Sequence, residues 1–197
     1  MADLRNVTLA VLAGGAGTRM GLPKAWLQLF GRPILQYLHE SLAWPGPTML
    51  VTISGRRAPP GFELFQSEVV DPAEEGPLRG VLTALQHSLT AQTLIIPVDM
   101  PQLRIEHLQW FADSLEMQKN MSGVMTRRCV NGTDHIEPLP LCCRQNATEI
   151  IASQIQDGDY SIRALSRHPR FAATAVPSHW PAQVWTNLNY PDDLQKQ

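Results

Sequence analysis

Cysteine is scarce in this chain of 197 residues: there are three, Cys129, Cys142 and Cys143, and two of them are adjacent. Such a set does not read as a disulfide framework; it suits free thiols in a reducing compartment, the cytoplasm. Long apolar runs are missing, so no segment reads as a membrane span, and residues 1–6 lack the basic-then-apolar pattern of a signal peptide. Charge of one sign is not concentrated. The 16 basic and 18 acidic residues give a formal net charge of −2, and no basic run exceeds two residues. That distribution excludes the electrostatic footprint of a nucleic-acid-binding protein. A phosphate-rich ligand must therefore be held by local geometry. What the chain does have is 44% hydrophobic residues, enough for a core in a domain of this length.

Short apolar runs alternate with helical spacings. Val7–Leu12 predicts a buried parallel strand that stops at Gly14 and Gly15. Residues 33–42 carry Ile34, Leu35, Leu38 and Leu42, the spacing of a helix with a proline at its start. Strands are predicted over 49–53 and 68–70, the second ending at Asp71, and a helix over 78–89 with Val81, Leu82, Leu85 and Leu89 on one stripe. A further strand is predicted over 93–98 and a helix over 105–117. Later strands are expected over 122–125 and 137–143, with helical segments over 149–156 and 161–166. The alternation predicts an α/β fold, a single Rossmann-like domain over 1–197 with three layers and a mainly parallel sheet flanked by helices. Ligands of such folds sit beyond the carboxyl ends of the strands. Three predicted strands end there in Gly14-Gly15, Asp71 and Asp99, which locates a candidate site.

The stretch from Leu12 and Ala13 through Gly14, Gly15, Ala16, Gly17, Thr18 and Arg19 to Pro23 and Lys24 carries the strongest chemical signal. Glycines at a strand end let backbone N–H groups approach a polyphosphate unobstructed. Arg19 and Lys24 add the positive charge that phosphoryl chemistry needs, because negative charge builds on the attacked phosphate and on departing pyrophosphate. The spacing matches neither a Walker loop nor a dinucleotide fingerprint. The bland alternative is a glycine turn with surface cations. Asp99, in Pro97-Val98-Asp99-Met100-Pro101, could bind a magnesium ion at a strand tip or cap the helix that follows. Asp71 could support metal or nucleotide, or simply a turn. Gly76 and Gly80 bracket Pro77 in a turn where a flat base or ribose could lie against backbone.

Together these blocks resemble the molybdenum cofactor guanylyltransferases, enzymes that attach GMP to molybdopterin. The resemblance continues through Gly31-Arg32-Pro33-Ile34, Gly76-Pro77-Leu78-Arg79-Gly80, Glu137-Pro138-Leu139, the block from Gly158 to Leu165, and the block from Asn187 to Leu194. It implies a nucleotide-diphospho-sugar transferase type of fold, with residues to about 104 binding nucleotide and the remainder binding the acceptor. It implies GTP contacts from Leu12, Ala13, Gly14, Gly15, Lys24 and Asp71, magnesium on Asp99, and Arg19 against the triphosphate. Glu137, Ser161 and Arg163 would face molybdopterin, and Asn187 and Asn189 would lie near the cleft. Molybdenum-insertion proteins and apo-molybdoenzymes are the implied partners. Two departures stand out: Ile53 where the family often has asparagine or serine, and Pro23 before Lys24.

The expected reaction is in-line attack by the terminal phosphate of molybdopterin on the α-phosphorus of GTP, with loss of pyrophosphate. Alternatives within the class are a molybdopterin cytidylyltransferase and a sugar 1-phosphate nucleotidyltransferase, and outside it a non-catalytic module that delivers nucleotide or cofactor. No nucleophile elbow or Cys/His pair points to a covalent intermediate. Cys142 and Cys143 read as core residues of a strand, and His135 with Asp134 lacks zinc spacing.

Overall fold

The computed structural model describes residues 1–15, 21–72, 75–130 and 132–188. Strand β1 is Val7–Leu12, followed by a two-residue hairpin of β2 (Gln28–Leu29) and β3 (Arg32–Pro33) and by helix α1 (Ile34–Leu42). Then come β4 (Thr48–Ile53), β5 (Ser67–Asp71), α2 (Pro77–His87), β6 (Gln92–Pro97) and α3 (Ile105–Met117). The second half holds β7 (Gly123–Val130), β8 (Thr133–Arg144), α4 (Ala147–Gln156) and β9 (Phe171–Ala175). Seven strands form one sheet in the order β5-β4-β1-β6-β8-β7-β9. Strand β1 pairs in parallel with both β4 and β6, so the chain order reverses at β1, where open α/β sheets bind ligands.

Alternation along the strands feeds two cores. Leu9 and Val11 join α1 and α3 on one face, whereas Ala10 packs with α2 and α4 on the other. Each helix buries the stripe expected from its spacing, Ile34, Leu35, Leu38 and Leu42 in α1 and Leu78, Val81, Leu82 and Leu85 in α2. The sheet is thus sandwiched between helical layers, as the alternation predicts. Helix α2 stops at His87, and Leu89, expected on its stripe, is exposed beyond it.

The second half departs more from expectation. Strand β8 runs antiparallel to both β6 and β7, while β7 and β9 are parallel. The strands expected over 122–125 and 137–143 are the inner ends of a longer hairpin, whose outer arms carry exposed, charged residues with no clean period. The helix expected over 161–166 is a 3-10 segment, Ile162–Arg167, and β9 was not expected at all. Cys142 and Cys143 are buried on opposite faces of β8, one in each core, and burial pushes the Cys142 thiol up to about 12 and raises that of Cys143 well above its ordinary value. Both are neutral packing groups.

His107, in the first turn of α3, accepts the Arg104 N–H on Nδ1 at 3.0 Å and meets Trp180 edge-on with ring centroids 4.6 Å apart. Burial, more than any charge, lowers its pKa from the ordinary value. The folded protein therefore binds this proton less readily than the unfolded chain does. The stability it contributes is present above the unfolded histidine pKa and is lost as pH falls through the lowered one. Urea unfolding midpoints of wild type and His107→Gln, compared at about pH 5 and about pH 8, are expected to show a smaller acid loss in the variant. Equal losses would remove His107 as the cause.

Candidate active site

A cavity of about 500 Å³ opens at the carboxyl ends of β1, β4, β5 and β6. Its lining includes Leu12, Gly14, Gly15, Lys24, Ile53, Asp71, Gly76, Pro77, Gly80, Asp99 and Leu139. Most residues implicated by the sequence therefore meet in one place. The convergence follows from the strand order: each local signal lies just past a strand, and β6, β1, β4 and β5 are neighbours that all point the same way.

Lys24 and Asp99, 75 residues apart, form an ion pair between Nζ and Oδ2 across this cavity. The side chains are 21% and 12% exposed, so the pair is largely shielded from water and its charges are held in position. The Lys24 N–H donates to the Gly15 carbonyl at 3.3 Å, which ties Lys24 to the glycine strand tip. Asp99 is held by its own backbone, whose carbonyl accepts from the Leu188 N–H at 2.9 Å. That bond also brings the Asn187 segment to the cleft. Asp71, 3% exposed, stands at the tip of β5 with the Arg79 Nε 3.9 Å from its carboxylate. Helix α2 begins beside it at Gly76 and Pro77 with no side-chain cap, so its first amides face the cavity end of the helix. The positive end of the helix there favours an anionic or oxygen-rich ligand.

The glycine turn is shaped from two sides. Arg56 donates from Nη1 to the Gly14 carbonyl at 3.0 Å. In a trans peptide this carbonyl and the next N–H point in opposite directions, so pinning one orients the other. In the sequence Arg56 is marked only by its place three residues beyond the tip of β4. On the other side, a Cβ added at Gly14 would lie 2.6 Å from Ile53 Cδ1. A side chain at position 14 would therefore require the Ile53 side chain to move out toward the cavity. Gly14→Ala is expected to raise the KM for nucleotide about tenfold, and adding Ile53→Ala is expected to recover much of the loss. A double variant no better than the single one would show that the overlap is not the cause.

Other expected residues lie elsewhere. Ser161 is exposed, and its hydroxyl accepts from the Ala164 N–H at 3.3 Å, capping a 3-10 turn. Arg163 is also exposed, and neither lines the cavity. Glu137 is two residues from Leu139 and accepts from Arg128 Nε and Nη2, at 2.8 and 2.5 Å, on one oxygen. Ala13 is buried and continues β1 through its N–H, which donates to the Val51 carbonyl at 2.8 Å. Gly17, Arg19 and Asn189 fall outside the described residues. Trp180 and Trp185 pack with Trp110 and His107 in the α3-side core.

Comparison with known proteins fits this geometry. The family model for the MobA-like NTP transferase domain matches residues 9–174. A probable molybdenum cofactor guanylyltransferase of Thermococcus sibiricus is 30% identical over 193 residues, covering 94% of each chain. The molybdenum cofactor guanylyltransferase of Xanthomonas euvesicatoria pv. vesicatoria is 31% identical, over 98% of this chain and 94% of its own. Among solved structures, molybdopterin-guanine dinucleotide biosynthesis protein A from Archaeoglobus fulgidus matches with a TM-score of 0.79 at 22% identity, over 96% of this chain and 95% of its own. The 2-C-methyl-D-erythritol 4-phosphate cytidylyltransferase of Thermus thermophilus matches at 0.71 and 15%, over 95% of both. These two likenesses concern the fold. The family match over most of the chain, together with relatives at this identity, shows that the chain belongs to the MobA-like NTP transferases and is a nucleotidyltransferase.

Proposed function

We propose that this protein transfers GMP from GTP to the terminal phosphate of molybdopterin, releasing pyrophosphate. The observation that carries the reading is the single cavity in which the Gly14-Gly15 turn, the Lys24–Asp99 pair and the start of α2 meet. The names of the relatives at 30 and 31% identity supply the acceptor and the base.

Lys24 offsets charge on the triphosphate, and the amides of the glycine turn, oriented by Arg56, cradle it. The start of α2 with Asp71 receives the nucleoside, whose base and ribose lie against Leu12, Ile53 and Pro77. A phosphate monoester is largely ionised near neutral pH, so the acceptor attacks without a strong general base. The protein's work is positioning and charge neutralisation.

Magnesium is tested by the donor set. This cation takes oxygen ligands and is commonly held by one or two carboxylates plus substrate phosphates. Asp99 offers a shielded carboxylate on the cavity wall, and no cluster of three acidic, histidine or cysteine ligands exists among the described residues. The arrangement fits a cation that binds together with its nucleotide. Asp99 would hold it, and bound there it would supply positive charge to the phosphate oxygens. A cytoplasmic setting, in which the three free thiols persist, belongs to the same proposal.

The deciding experiment incubates the protein with molybdopterin, Mg²⁺ and each of GTP, CTP, ATP and UTP, and follows pyrophosphate and dinucleotide product. Product with GTP above the others is expected. Preference for CTP would make the enzyme a cytidylyltransferase, and binding without pyrophosphate release would make it a carrier.

A further inference from the structure

The hairpin of β7 and β8 carries a side-chain cluster that the fold brings to the active edge. Strand β7 is parallel to β6, since both run antiparallel to the β8 that lies between them. Val124 pairs with Cys142, and Cys142 pairs with Leu94, so Val124 stands level with Leu94. Four residues further along, past the register shift in β8, Arg128 falls at the same edge of the sheet as the end of β6. Two strand spacings, about 10 Å, separate the two strands laterally. In β8 the register shift leaves Met125 alone opposite residues 138–141, and Leu139 from this bulge enters the cavity lining.

A second route gives the same placement. The Arg128 guanidinium carbon lies 5.4 Å from the centre of the Trp185 ring, while Leu188 donates to the Asp99 carbonyl. Three peptide steps, at most about 11 Å of chain, connect these two contacts. Arg128 therefore lies at the same edge of the sheet as Asp99, just outside the residues that line the cavity.

Its guanidinium is held on two sides. Nε and Nη2 both donate to one Glu137 oxygen, and the indole of Trp185, itself 8% exposed, backs the plane. The other guanidinium nitrogen, Nη1, and the second Glu137 oxygen have no partner among the described residues, and both side chains are 23% exposed. A preoriented, half-exposed guanidinium with a spare donor edge suits an oxyanion.

Resting on the proposed reaction, we infer that Arg128 binds the phosphate of the acceptor, with Glu137 and Trp185 as positioning residues. The need for it is electrostatic. An acceptor phosphate must approach an α-phosphate that is itself negatively charged, and Lys24 lies on the nucleotide side. A cation on the β7–β8 wall offsets that repulsion from the acceptor's side. Glu137 then acts through Arg128: it sets the direction of the fork.

The test measures steady-state rates on purified full-length protein, varying molybdopterin and GTP separately. Arg128→Ala is expected to raise the KM for molybdopterin roughly 10- to 100-fold while the KM and Kd for GTP stay within about twofold. Arg128→Lys is expected to recover part of the loss. Glu137→Gln is expected to shift the molybdopterin KM in the same direction but less. Thermal unfolding of each variant identifies any that fail to fold, and Arg128→Lys keeps the test open in that case. If the wild type transfers GMP but both Arg128 variants keep the wild-type molybdopterin KM, or lose GTP affinity equally, the inference is overturned. A wild type that transfers no GMP to molybdopterin overturns the functional reading and this inference with it.

Discussion

Lys24→Ala is expected to lower turnover roughly 10²- to 10³-fold, the loss seen when a charge-stabilising group is taken from a preorganised site. The fold should survive. Lys24 sits in a short 3-10 turn at the cavity rim, and its neighbours Ala25 and Leu27 supply the buried contacts. Removing it leaves the Asp99 carboxylate without its ion-pair partner in a shielded wall, which costs some stability, but the cavity is open to water and lets the carboxylate rehydrate. Turnover measured at saturating GTP, with circular dichroism as the check on folding, decides the matter. Near-wild-type turnover would take lysine out of the mechanism.

Asp99→Asn is expected to cost turnover on a similar scale, about 10²-fold or more, for a different reason. Asparagine keeps the size of the side chain and offers one oxygen, but it removes the negative charge that a divalent cation and Lys24 both use. The variant should therefore need more Mg²⁺ for half-maximal rate, whereas Lys24→Ala should not. The double variant is the sharper measurement. Because the two groups meet in one ion pair and serve one polyphosphate, their losses should fall well short of multiplying. Fully multiplicative losses would mean that the two act independently, against their geometry.

How far this site could be read from the chain varies with the residue. Gly14, Gly15, Asp71 and Asp99 were legible because each marks the point where an apolar run stops, and a run's end is a local property. The helices were legible for the same reason: Ile34, Leu35, Leu38 and Leu42 repeat at helical spacing whatever surrounds them. The outer half of the β7–β8 hairpin was not. Its burial gives way to exposed Arg127, Asp134 and His135, and the residue types there, Arg-Arg-Cys-Val and Thr-Asp-His, carry no apolar/polar alternation that would mark a strand. The Asn-Gly pair at 131 and 132 was the one sign of a tight turn between two strands. Strand β9, Phe-Ala-Ala-Thr-Ala, is an edge strand of mostly small residues with little strand preference of its own; it exists because β7 offers it a partner.

The sequence by itself determined the α/β alternation, the glycine turn and the acidic strand ends. Those features rest on interactions among residues close in the chain, and composition and spacing carry them. Only the tertiary structure decided that Lys24 meets Asp99, that Arg56 grips the Gly14 carbonyl, that the Ile53 side chain packs against Gly14, and that Arg128 stands beside Trp185. Each of these contacts joins segments that strand order and register bring together. Strand order and register are chosen by burying both faces of the whole sheet at once, a collective term that no local window contains.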